Sequence, residues 1–183
     1  MSSPRRSRIE PADHDLWRVY VPAWSWRSLS GKGASRFGGR WNPVGLPTLY
    51  AALELTTAWS EYNQGLTQHP GLVVRLRLTG AGLADTQAPA LRDRFAIPAD
   101  LGGDDWRAAA WRDGIAPTQA AALRLRSARF DGVRFPSAMS PGGHCVALWR
   151  WNTRGAPKLV AEDPEGRLPA APTGEVLLCK PFA

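Results

Sequence analysis

Leu72-Val73-Val74-Arg75-Leu76-Arg77-Leu78 carries an apolar side chain at every even position and is the clearest strand signal in the chain. A period of two puts Val74 and the leucines on one face of a sheet and the two arginines on the other. Before it, residues 52–65 read as a helix that contains Glu61 and closes at Gly65. Further back, residues 47–51 and 16–21 read as strands, separated by a Gly-, Ser- and Pro-rich stretch over 27–47 expected to be a long loop. Beyond Leu78, residues 80–103 read as loop, 104–112 and 117–128 as helices, and 130–135, 145–151 and 158–161 as strands. Regular helices do not separate these strands, which argues against a doubly wound parallel sheet. The pattern is α+β.

Composition narrows the class. The 183 residues suit a single domain, and 44% hydrophobic with 21% charged residues is the balance of a globular chain. Nine tryptophans predict several buried indoles or a cleft lined by them. The net charge of +7 comes largely from arginine scattered along the chain, and no basic run exceeds Pro4-Arg5-Arg6-Ser7-Arg8. Such a charge follows equally from GC-rich coding and from selection for phosphates, nucleotides or an acidic partner. Cys145 and Cys179 make no disulfide framework, and His14, His69 and His144 lack zinc-ligand spacing, so no metal is expected. Residues 1–15 are polar and expected to be flexible, with no signal-peptide pattern and no stretch near the ~20 apolar residues of a membrane span. A cytoplasmic chain without membrane contact is expected.

Several residues carry chemistry. In Arg36-Phe37-Gly38-Gly39-Arg40-Trp41-Asn42-Pro43 the paired glycines let backbone N–H groups approach a ligand, and Arg36 and Arg40 add forked cationic donors. That suits phosphate or pyrophosphate, although no Walker or Gly-x-Gly-x-x-Gly pattern is present and a purely structural loop has the same composition. Taken by itself, Glu61 reads as a solvent-facing helical acid. Ser137 sits at a strand exit without a Gly-x-Ser-x-Gly elbow, which disfavours a serine hydrolase. His144 has no nucleophile paired with it in sequence.

Taken together, these pieces resemble a known family. Leu16-Trp17-Arg18, Leu29 through Gly38-Gly39-Arg40-Trp41-Asn42-Pro43, Leu49-Tyr50, Glu61 and Phe135-Pro136-Ser137-Ala138 occur in the order and approximate spacing of the RES domain, named for an Arg, a Glu and a Ser. Asp131-Gly132 and Gly166-Arg167-Leu168-Pro169 resemble it too, so the likeness runs from Leu16 to Pro169, within a domain taken as 16–183. His144 and Cys145 depart from it: family members often carry Asn there.

The resemblance implies an ADP-ribosyltransferase-like fold, a split, mainly antiparallel sheet whose central cleft holds NAD+ as substrate. It implies the toxin of a toxin–antitoxin pair that cleaves NAD+ at the nicotinamide–ribose bond and passes ADP-ribose to water, phosphate or a protein target. The implied catalytic residues are Glu61, Arg40 and Ser137. Arg18, Arg36, Gly38, Gly39, Arg40, Tyr50 and Ser137 are implied to bind the dinucleotide. Tyr50 is placed against the nicotinamide, or as a core aromatic on its strand. Lys32 is a further, weaker candidate. An Xre-type antitoxin would cover the cleft, and DNA would be touched only through that partner. The competing reading is a non-catalytic basic module that binds nucleic acid through its Arg and Trp side chains. The scattered charge and the lack of an aromatic RNA-binding signature weigh against it.

Overall fold

The computed structural model describes residues 10–64, 68–101 and 105–169. Seven strands form one sheet: β1 (Ala12–Tyr20), β2 (Leu49–Ala52), β3 (Leu72–Ala81), β4 (Leu83–Asp85), β5 (Gly132–Pro136), β6 (His144–Leu148) and β7 (Lys158–Ala161). Their order is β4-β5-β6-β2-β1-β3-β7, antiparallel throughout except for the parallel pair β4–β5. The helices are α1 (Lys32–Phe37), α2 (Leu55–Asn63), α3 (Pro89–Phe95), α4 (Trp106–Asp113) and α5 (Pro117–Ser127), with a 3-10 turn over Pro22–Arg27. Among the described residues no helix is long and apolar enough to cross a membrane.

Alternation decides which side chains go inside. Val74, Leu76 and Leu78 of β3 are buried together with Leu16, Val146, Leu148 and Leu159 on one face of the sheet. On the other face Trp41, Phe95, Leu125, Phe130, Val133, Phe135 and Trp149 form a second cluster beneath α3 and α5. Two of the nine tryptophans are buried, whereas Trp24 and Trp111 are exposed.

The sheet is split in its middle. β1 pairs with β3 from Ala12 to Tyr20, yet it meets β2 only at Trp17 opposite Ala52. Four residues long, β2 is fully paired with β6 on its other edge. Past Trp17, β1 therefore diverges from β2, and Arg18 to Tyr20 turn towards the 22–31 segment. A cleft opens there.

Several elements differ from their sequence pattern. The stretch 27–47 is not one loop but holds α1, and the 80–103 stretch holds β4 and α3, whose seven residues are too short to show a period. α2 starts at Leu55 rather than 52 because Ala52 is still paired with Cys145. It ends with Gln64 in the left-handed conformation (φ 49°); the expected stop, Gly65, lies outside the described residues. β6 stops at Leu148 because Trp149 N–H turns to the carbonyl of Asp131. β1 begins at Ala12, inside the segment expected to be flexible, and Asp13 there accepts from Gly80 N–H.

Candidate active site

Glu61 stands on the last turn of α2, which lies against β1 and β2 beside the cleft. Its Oε1 accepts from the Ser137 hydroxyl at 2.6 Å, and the Cys145 thiol lies 3.7 Å away. Ser137 follows β5, where the chain folds into a tight turn. Its Oγ accepts from Met139 N–H at 3.1 Å and Ser140 N–H at 3.0 Å while donating to Glu61. The hydroxyl thus has two donors pointing at it and its own proton directed at the carboxylate, which leaves Glu61 Oε2 for other company. Burial, followed by the Glu61 charge, pushes the Cys145 thiol far above its usual range. It stays protonated and acts as a weak donor, not as a nucleophile.

Gly143 lets this turn approach α2, since a Cβ would collide with the Thr57 hydroxyl. His144 points elsewhere. Its backbone N–H donates to Glu54 Oε2 at 3.0 Å and its ring Nε2 lies 3.1 Å from the Gln87 side-chain oxygen, Oε1.

Beside this centre the glycine segment is a closed turn. Gly39 and Asn42 exchange backbone hydrogen bonds of 2.9 and 3.2 Å, with Arg40 and Trp41 at the tip. Tyr50 reaches under it, donating to Asn42 Oδ1 at 2.8 Å and accepting from Trp41 N–H at 2.9 Å. Burial holds this phenol well above its ordinary pKa. The Gln119 amide donates to the carbonyls of Gly39 and Asn42 at 2.9 and 3.1 Å, and Trp149 Nε1 donates to Trp41 O at 2.9 Å. A side chain at Gly39 would put its Cβ 2.6 Å from the Tyr50 oxygen and 2.7 Å from Asn42 Oδ1; Gly38 has φ 73°. The N–H groups of both glycines are committed to Ala34 O and Asn42 O. The glycines therefore shape the turn that carries Arg40 rather than presenting N–H groups to the cleft. Arg40 itself donates to Leu101 O at 2.6 Å.

Arg18, on the diverging end of β1, donates to the carbonyls of Ser28 and Ser30 at 3.3 and 3.2 Å and stacks on Tyr20. Three cavities follow the split. The central one, about 250 Å³, lies between Trp17, Arg18, Tyr50, Glu61, Tyr62 and Phe135. A second of about 170 Å³ shares Tyr50, Glu61 and Phe135 with it and adds Arg40, Trp106 and Arg107. The third, about 500 Å³, shares Arg18 and Tyr62 and extends past Trp24, Arg27, Lys32 and Arg36. Only the third alone reaches the range typical of small-molecule sites, but the shared walls make a single trough. Among the described residues, Glu61 is the one carboxylate in the linings of these three cavities.

The fold thus brings Glu61, Ser137 and Tyr50 together at the centre, with Arg40 to one side and Arg18 and Arg36 to the other. Gly38 and Gly39 lie behind the wall. Sequence reasoning passed over Gln119, which gives no local signal, and Trp24, Tyr62, Trp106 and Arg107. The tryptophan surplus was the one hint of Trp24 and Trp106. Among the described residues no three His, Cys, Asp or Glu side chains gather as a metal group would.

This fold has a solved counterpart. A chain in a crystal structure of the M. tuberculosis MbcT–MbcA toxin–antitoxin complex superposes with a TM-score of 0.62 at 22% identity, covering 85% of this chain and 87% of that one. At that identity the likeness is one of fold. No curated relative matches the sequence. The RES domain matches residues 15–171, which span both walls of the cleft from β1 through β7, and the chain belongs to the RES-domain family.

Proposed function

We propose that this chain is the toxin of a toxin–antitoxin pair and that it uses NAD+ as substrate, cleaving the nicotinamide–ribose bond. The observation that carries this reading is the position of Glu61, the one carboxylate among the described lining residues of a trough that also presents Arg18, Arg36, Arg40, Tyr50 and Trp24. A dinucleotide has matching parts: a pyrophosphate for the arginines, rings for the aromatic walls, and a ribose carbon that turns cationic as nicotinamide leaves.

In this reaction the bond from ribose C1′ to the pyridinium nitrogen breaks, and its electron pair neutralises the nitrogen. Positive charge then grows on C1′ and the ring oxygen. The Glu61 carboxylate, held by Ser137, stabilises that charge and accepts from a ribose hydroxyl through Oε2. Ser137 acts by orienting Glu61, and no covalent enzyme intermediate is needed. Arg18 and Arg36 hold the pyrophosphate and Arg40 faces the other mouth, which fixes the reacting carbon. Trp24 offers its face to the adenine in the large cavity. Water, phosphate or a protein side chain attacks C1′ and releases its proton to solvent. Tyr50 both lines the centre, where its ring can flank the nicotinamide, and braces the glycine turn with its hydroxyl.

An antitoxin of Xre type would cover the trough, with DNA contacted only through it, and the pair would act in the cytoplasm. The occurrence of a similar fold in a toxin–antitoxin complex supports such a partner. The chain's +7 charge suits an acidic covering surface.

The test is nicotinamide release from NAD+ by the purified chain, with and without phosphate and with a cell lysate as source of protein acceptors. Glu61→Gln should lower the rate on the order of 10²-fold or more. Wild-type turnover by that variant would overturn the mechanism.

A further inference from the structure

The large cavity holds more positive charge than NAD+ alone requires. Arg18, Arg27, Lys32 and Arg36 line it, and no carboxylate among the described residues does. Arg18 is tied to two backbone carbonyls and to the Tyr20 ring. Arg27 and Arg36 lie over Trp26 and Phe37 at 4.0 and 5.3 Å, and none of Arg27, Lys32 and Arg36 forms an ion pair with a described carboxylate. All three are exposed, and among the described residues no carboxylate pairs with them, which leaves their positive charge for a ligand.

A pyrophosphate brings two negative charges, which Arg18 and Arg36 balance. Arg27 and Lys32 then remain beside Trp24, the aromatic surface on which an adenine would stack. An Arg beside an adenosine ribose accommodates a 2′-phosphate where one is present, as in Rossmann sites. Here two cations are in surplus among the described lining residues. A phosphomonoester adds close to two further negative charges near neutral pH, which matches that surplus.

We propose that this site takes the 2′-phosphorylated dinucleotide NADP+ in preference to NAD+, with Arg27 and Lys32 as the specificity-determining residues. This rests on the dinucleotide reading above. Both side chains lie outside the Glu61 centre, and neither contributes to the core.

The test measures binding of ADP-ribose and of 2′-phospho-ADP-ribose, which lack the scissile bond, to the full chain by calorimetry, alongside initial rates of the wild type on NAD+ and NADP+. The phosphorylated ligand should bind about tenfold tighter, the scale of one charge-assisted contact. The double variant Arg27→Ala/Lys32→Ala should abolish that preference while binding plain ADP-ribose within a few-fold. Steeper salt dependence for the phosphorylated ligand should vanish with it. Equal or tighter binding of ADP-ribose would overturn the preference and leave the dinucleotide reading standing. Binding of neither ligand, with no turnover of either dinucleotide, would overturn both.

Discussion

The two walls of the cleft are built on opposite principles. On the wall formed by α2, β5 and the glycine turn, the key polar groups are held by the fold: Ser137 has three partners, and the Gly39–Asn42 turn is held by Tyr50, Gln119 and Trp149. On the wall formed by residues 22–37, cations and aromatics stand exposed, and among the described residues no carboxylate lines their cavity. The difference separates two tasks. Stabilising a transition state needs groups that do not reorganise, so their geometry is settled during folding. Binding an anion needs charge that is still uncompensated when the ligand arrives.

Breaking the rigid wall should cost most. Glu61→Gln removes the reacting charge and carries the hundredfold or larger rate loss given above. Gly39→Ala comes next, because its methyl overlaps the Tyr50 and Asn42 oxygens at fixed positions. We expect a destabilisation of about 2 kcal/mol, read as a melting temperature lowered by about 6 °C. An unshifted melt would mean that the turn is not held as tightly as its hydrogen bonds imply.

Ser137→Ala sharpens the comparison, since it leaves Glu61 in place but unheld. kcat should fall about tenfold at nearly constant KM, in keeping with the loss of one hydrogen bond to a charged group. Ser137→Thr should restore most of the rate. A rise in KM alone would make Ser137 a binding group instead. On the exposed wall, the Arg27→Ala/Lys32→Ala pair should alter ligand preference without moving the melt.

The smallest effect lies away from both walls. Asp15 on β1 pairs with Arg75 at 2.7 Å and Arg77 at 3.1 Å, and Arg75 also meets Glu162 at 3.2 Å. Hydrogen bonding to Arg75 holds the Asp15 carboxyl below its ordinary pKa. A depressed carboxylate contributes stability that is full above its unfolded pKa, roughly 4, and is lost as pH falls through the lower folded value. Asp15→Asn should therefore leave the melt almost unchanged at pH 7 and flatten its decline below about pH 4. A large loss at pH 7 would show that these solvated pairs carry more than their exposure allows.

How much was legible in sequence follows the same division. The strand alternation at Leu72–Leu78 and the helix carrying Glu61 are local patterns, and each marks the right element even where its ends move. Short elements such as β4 and α3 have too few residues to show a period, and α1 lay hidden in a stretch whose glycines read as loop. Gln119 gave no sign at all. A buried glutamine eighty residues from the carbonyls it serves follows no spacing rule.

From its own order of residues the chain determined an α+β fold, the RES-domain pattern, and a cluster of Arg, Tyr, Glu and Ser as the candidates for chemistry. Alternation and motif spacing are properties of neighbours along the chain, and these can be read from it. Tertiary structure alone decided that β1 leaves β2 after Trp17 to open the cleft, and that the glycine N–H groups turn inward instead of facing a ligand. It alone decided that the Ser137 proton goes to Glu61 and that Arg27 and Lys32 share a cavity with Trp24, without an ion pair among the described residues. Each of these depends on which distant groups compete for the same hydrogen bond or the same charge, and only packing settles that competition.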